Sequence, residues 1–363
     1  MSANDSNSGA GSGAGEKVRL TQLSNAAGCA AKLKATELIG ILSALPKFPC
    51  ESLEVGFEGA EDALCYNLND DTSLVSTVDF FPAMVDEPFA FGEIAAANAI
   101  SDIYAMGAKP LYALSLMCFP QRLDKGILKE ILEGGISKAK EAGIPIAGGH
   151  TIDDEVPKYG LCVTGAAKRG RIWRNNGVRI GDCLVLTKTL GVGIINTAVK
   201  CREASAEAES KAVESMRTLN KYACEIASSY DVHAATDITG FGLLGHLMEM
   251  TEGANARSRS DRPELSLKVL SSDIPYFQEA FELAEIGILP AGLYNNRDYT
   301  KGKVAFADGI PLALRDIMFD PQTSGGLVLS MSRKDAESFI RKMPSARIIA
   351  EAVPYCGVLI QVV

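Results

Sequence analysis

A cysteine stands three positions ahead of a lysine in "SNAAGCAAKL", and the pair Cys29 and Lys32 could set a thiol beside an ammonium group. A nearby cation favours the nucleophilic thiolate, yet buried cysteines also serve as small inert fillers, and C-x-x-K by itself separates neither use. Four aspartates offer a second kind of chemistry: Asp62 in "EGAEDALCY", Asp79 ending "STVDFF", Asp102 in "NAISDIYAMG" and Asp237 in "ATDITGFGLLGH". Asn98 lies four residues before Asp102, one helical turn, so both would present oxygen atoms from one helix face. Singly, each aspartate suits a helix cap or a turn. Gathered, such carboxylates repel one another unless a hard cation neutralises them. Mg²⁺ is usually held by one or two carboxylates plus substrate phosphates, so a gathered set would also call for a nucleotide.

Three glycine-containing stretches could touch phosphate. "IAGGHTIDD" carries Gly148, Gly149 and His150 after a short strand, "LTKTLGVG" carries Lys188, Gly191 and Gly193 ahead of a helix, and "DPQTSGGLVLS" precedes a strand. A glycine pair lets backbone N–H groups approach an anion, and a helix N-terminus attracts one, but simple turns and helix entries have the same look. His246, on an apolar helical pattern, reads as a structural hydrogen-bonding residue, and His233 as a surface or turn histidine.

The elements that must carry these residues form two similar cycles. Residues 2–16 are rich in Gly, Ser, Asn and Ala and read as a flexible arm, followed by helical spacing over 34–45. Strand-like runs "DALCYNL", "TSLVSTVDFF", "LYALSLMCF" and "GLCVTGAA" then alternate with helical patterns, closing a first α/β unit near Arg171. A second cycle opens at "DCLVLTKTLGVG", continues through a polar helix over about 205–229, and ends at "GVLIQVV". The fold class is therefore α/β (α+β).

Composition narrows the partners. A net charge of −9 disfavours nucleic acid as a general partner, and no apolar run of eighteen residues suggests a membrane span. The N-terminus lacks the charged-then-apolar order of a signal peptide. Nine cysteines without a C-x-x-C pair fit neither a zinc ribbon nor a secreted disulfide framework, so a cytoplasmic address is expected.

Taken in order, "RLTQLSNAAGCAAK", "STVDFF", "NAISDIYAMGAKP", "AGGHTID", "LTKTLGVG", "TDITGFGLLGHL" and "DPQTSGGL" resemble the selenophosphate synthetases, from about Arg19 to the C-terminus. The resemblance implies a two-domain fold of the aminoimidazole ribonucleotide synthetase type and a homodimer formed through the N-terminal domains. It divides the chain into an arm with the Cys/Lys segment (1–48), an ATP- and Mg-binding, dimerising domain (49–170) and a C-terminal α/β domain (171–363). The implied reaction converts ATP, selenide and water to selenophosphate, orthophosphate and AMP, with Mg²⁺ and usually K⁺. Its product supplies activated selenium for selenocysteine and selenium-modified tRNA, and a selenium-delivery protein is a conceivable partner. By the same resemblance, Cys29 is the reactive Cys-or-selenocysteine position and Lys32 the essential lysine, facing phosphate. Asp62, Asp102 and Asp237 fall on magnesium-binding positions, Asp102 also beside the nucleotide, and Asp79 on a nucleotide-contacting one. Gly59, Ala60 and Glu61 precede the first metal ligand, while Gly148, Gly149 and His150 form the family's nucleotide loop. Ala31 departs from many bacterial members, which carry a second cysteine there, so any mechanism needing a vicinal thiol pair is excluded. Rival readings are another ATP user of the same fold, such as thiamine-phosphate kinase, and a binding regulator without turnover. The "GCAAK" stretch weighs against both.

Overall fold

The computed structural model describes residues 18–24, 28, 38, 40–42, 44–46, 48–56, 61–258, 260 and 262–363. Cys29, Lys32, Gly59 and Ala60 lie outside these, as does half of the helix expected over 34–45.

The first half is built on a six-stranded sheet. Its strands are β1 (Leu53–Val55), β2 (Leu64–Asn67), β3 (Thr72–Pro82), β4 (Lys109–Cys118), β5 (Ile146–Ile152) and β6 (Lys158–Lys168), in the order β1-β2-β3-β6-β4-β5. All neighbours are antiparallel except β4 and β5. Helices α1 (Pro88–Ala105) and α2 (Lys125–Ala142) serve this half. The Glu87 carboxylate accepts the Phe89 and Ala90 N–H groups, and Pro88 needs no donor at the first turn, so α1 begins sharply there. Alternation along β3 sets Thr77 and Asp79 on one side, towards α1, and Val78 and Phe80 on the other, where they remain 56% and 48% exposed.

The second half carries a seven-stranded mixed sheet of β7 (Asp182–Leu186), β8 (Val232–Asp237), β9 (Leu265–Val269), β10 (Val304–Phe306), β11 (Leu327–Ser332), β12 (Arg347–Pro354) and β13 (Ile360–Val362). Their order is β10-β13-β9-β12-β7-β11-β8. Every residue of β7 is buried, which explains the unbroken apolar run after Asp182. Among the helices here are α3 (Val192–Cys201), α4 (Ala206–Arg217), α5 (Lys221–Ala227) and α6 (Gly242–Arg257).

Three expectations need correction. "IAGGHTI" is not a loop: Gly148, Gly149 and His150 continue β5, the last strand of its sheet, because Ser115 to Cys118 of β4 offer a parallel partner through Ile152. The polar helix over 205–229 is two helices, interrupted where buried Asn220 turns its amide to Ser101 Oγ and the Gly325 carbonyl. His233 is not at the surface. It lies in β8 with its side chain 10% exposed, drawn inward by the Asp182 carboxylate at 2.8 Å, which Ser330 Oγ also reaches.

Candidate active site

The four aspartates of the sequence converge where the two halves meet. Thr77 and Asp79, two residues apart on β3, lie about 6.6 Å apart along the strand, and Asn98 and Asp102 about 6 Å apart along α1. The two spacings mate: Thr77 Oγ1 donates to Asp102 and Asn98 Nδ2 donates to Asp79 at 2.7 Å. Asp237 ends β8 and accepts from Ser101 Oγ at 2.5 Å, while Asp62, two residues before β2, accepts from Thr236 Oγ1 at 2.8 Å.

The electrostatics are those of crowded carboxylates. Burial, reinforced by the charges of Asp237 and then Glu61 and Glu249, pushes the Asp62 carboxyl well above the ordinary carboxylate value, with only the Thr236 hydroxyl opposing. Burial does the same to Asp102, helped by Asp237, Asp79 and Asp62. Asp237 and Asp102 are 2% and 8% exposed, and Asp62 Oδ2 is buried without a hydrogen-bond partner among the described residues. Among those residues no three His, Cys, Asp or Glu side chains stand ready to enclose a metal ion unaided. Hard oxygen donors, mutual repulsion and one orphaned carboxylate oxygen nevertheless fit a hard divalent cation that shares its shell with phosphates.

Glu61 is placed differently. Its carboxylate takes the Arg174 guanidinium at 2.8 Å, the Asn175 N–H and the Asn176 amide, and its side chain has no exposed surface. It ties Asp62 to the segment joining the two sheets. Gly149 stands in the same cross-strand row as Asp79, through Leu161 and Ser115, but three strands away across the sheet. Gly148, Gly149 and His150 are exposed there.

The "LTKTLGVG" stretch is closed by the chain itself. The Asp320 carboxylate accepts the Gly193 N–H at 2.9 Å, and Gln322 Oε1 accepts the Gly191 N–H at 3.2 Å, so the start of α3 is already capped. Lys188 Nζ donates to the Thr218 and Ser324 carbonyls, both at 2.7 Å. "DPQTSGG" instead borders the site. Ser324 holds a left-handed backbone at φ 49° and gives its N–H to Asn98 Oδ1, the residue that steadies Asp79. Gly28, whose successor in the sequence is Cys29, packs so tightly that a Cβ there would come within 2.4 Å of Thr323 Oγ1. Ahead of it, Arg19 pairs with Asp86 at 2.7 Å and Lys200 Nζ donates to the Ser24 carbonyl at 2.5 Å, which secures the chain on its approach.

His246 has the structural part expected of it. Its Nε2 accepts the Thr239 N–H at 3.1 Å, so the proton sits on Nδ1, directed at Glu249. Sequence reasoning missed the partners Thr77, Ser101, Asn220 and Thr236. A hydroxyl adjoins two of the aspartates in "SD" and "TD", the one signal that could have flagged them.

Two α/β halves with carboxylates at their junction define an AIR synthase related protein. Residues 60–167 match the AIR synthase related protein, N-terminal domain, and 179–356 the corresponding C-terminal domain. Thiamine-monophosphate kinase from Stenotrophomonas maltophilia K279a has a similar fold, with a TM-score of 0.61 over 91% of this chain and 96% of that one, at 18% identity. The chain is 47% identical over 340 residues to the selenide, water dikinase of Clostridium botulinum (strain Eklund 17B / Type B), covering 93% of this chain and 96% of that protein. It is 44% identical over 345 residues to that of Clostridioides difficile (strain 630), covering 93% and 97%. The chain belongs to the selenide, water dikinase family.

Proposed function

We propose that this chain makes selenophosphate from ATP, selenide and water, releasing orthophosphate and AMP. The full-length identity of 47% to a selenide, water dikinase carries the reading, and the carboxylates at the junction supply a place for its chemistry. Asp62, Asp102 and Asp237 would hold Mg²⁺, which when bound neutralises triphosphate charge. Asp79, which accepts from Asn98 Nδ2, would contact the nucleotide. Lys32 would bind phosphate oxygens and Cys29 would hold selenium; Gly28, the residue before Cys29 in the sequence, is seated against Thr323. Selenide is already an anion at neutral pH, so its delivery and the exclusion of water matter more than a general base. Hence His150 and His246 are assigned no proton transfer. K⁺ and a selenium-delivery protein complete the reading, as does a cytoplasmic address. No helix among the described residues is long and apolar enough to cross a membrane.

A homodimer through the first sheet belongs to the same proposal. Its open face leaves Leu64, Tyr66, Val78, Phe80 and Leu114 each more than a third exposed, an apolar surface fit for a second copy.

The deciding experiment is anaerobic ³¹P NMR of ATP with the protein, Mg²⁺ and selenide. Selenophosphate, orthophosphate and AMP should appear together and only when selenide is present; ADP as the end product would refute the reading. Cys29→Ser should abolish selenophosphate while sparing nucleotide affinity, since a serine hydroxyl cannot supply a comparable soft anion.

A further inference from the structure

Two of the site's carboxylates are held by hydroxyls from the opposite half of the chain. Ser101, on α1 of the first half, donates to Asp237 of the second; Thr236, on β8 of the second half, donates to Asp62 of the first. The partners are 136 and 174 positions apart in sequence. Both hydroxyl residues are buried, Ser101 fully and Thr236 to 3% exposure. A hydroxyl has one proton to give. Asn220 Nδ2 donates to Ser101 Oγ at 2.8 Å and to the Gly325 carbonyl at 2.8 Å, so a lone pair of Ser101 is filled and its proton is directed at Asp237 Oδ2. Thr236 engages Asp62 Oδ1 and leaves Oδ2, the buried orphan, free for a ligand. Neutral donors orient a carboxylate without cancelling the charge that a cation needs, which a lysine or arginine in their place would do.

We infer that Ser101, directed by Asn220, and Thr236 are positioning residues for cation binding, each lent by one half of the chain to the carboxylate of the other. The two halves can then present Asp62 and Asp237 together only when they are docked. The inference rests on the reading of these aspartates as cation-holding, and its test separates the two.

The probe is Mn²⁺, titrated into the full chain with free Mn²⁺ followed by electron paramagnetic resonance, alongside thermal unfolding of every variant. Thr236→Val keeps the shape and removes the hydroxyl; Ser101→Ala removes a single oxygen. Each should weaken Mn²⁺ binding by about 10- to 100-fold, the usual effect of losing a partner that orients a metal ligand, and Thr236→Ser should restore it. A folded Thr236→Val or Ser101→Ala protein with parental Mn²⁺ affinity overturns the inference, even if its Tm falls, because the hydroxyl is then merely structural. Should Thr236→Val fail to fold, Ser101→Ala decides alone. Asp62→Asn is the control: if it leaves Mn²⁺ binding unchanged, the cation reading itself fails, whereas weakened binding there with parental binding in the hydroxyl variants sinks only this inference.

Discussion

The junction of the two halves and the start of α3 are both rich in glycine and charge, yet they reach opposite ends. At α3 every group that looked able to meet a phosphate is met by the chain: Asp320 and Gln322 take the helix N–H groups, and Lys188 is held between two carbonyls. At the junction, carboxylates crowd each other and Asp62 Oδ2 has no partner among the described residues. Asp320 Oδ1 at α3 is also buried without a partner among the described residues, so what sets the junction apart is the mutual repulsion of its carboxylates, which Asp320 does not feel.

The largest effect should come from Asp237→Asn and Asp62→Asn. If both hold the cation as proposed, each should lower selenophosphate and AMP formation by more than about 100-fold, since losing a ligand outweighs losing its orienting partner. Their Tm should hold or rise, because a repelling buried charge is gone. Parental turnover in both would erase the contrast between the two regions.

Lys188→Met should act the other way. Two partly buried carbonyls lose their donor, costing about 1–3 kcal/mol of stability by urea unfolding. KM for ATP in the folded protein should stay near the parent's; a large rise there would make α3 part of the nucleotide site after all. Gly193→Ala probes the same place by a clash instead. Its Cβ would meet the Pro321 carbonyl at 2.3 Å and Asp320 Oδ1 at 2.5 Å, so the loop must shift, at a cost of about 1–3 kcal/mol.

The remaining effect is a pH slope. Burial raises the Asp320 carboxyl from 3.8 to about 7, against its bonds to the Ile194 and Gly193 N–H groups and Gln322. A raised folded-state pKa means its contribution to stability is fully present below about pH 4 and is lost as pH climbs towards 7. Lys188 is lowered by burial from 10.5 to about 7, so its share is lost in the opposite sense, as pH falls from 10.5 towards 7. Urea midpoints of the parent should therefore decline across pH 4 to 7 more steeply than those of Asp320→Asn. Equal slopes would show that Asp320 does not titrate in this range.

Much of this was present in the order of residues. The two-residue period of "STVDFF" and the one-turn spacing of Asn98 and Asp102 already set their donors and acceptors at matching intervals, because strand and helix repeats are local properties of the backbone. The long motifs, in their order, led to the family that the comparisons show. Only the tertiary structure decided which polar groups would answer one another. "LTKTLGVG" looks the same whether or not Asp320 folds over it, and that carboxylate lies 127 positions from Gly193. The fate of "AGGH" as a strand depended on the neighbouring β4, and the break before Asn220 on a serine 119 positions away. Local periodicity carries no record of such separations. They are set when two sheets bury their faces and bring the hydroxyls of one half within bonding distance of the carboxylates of the other.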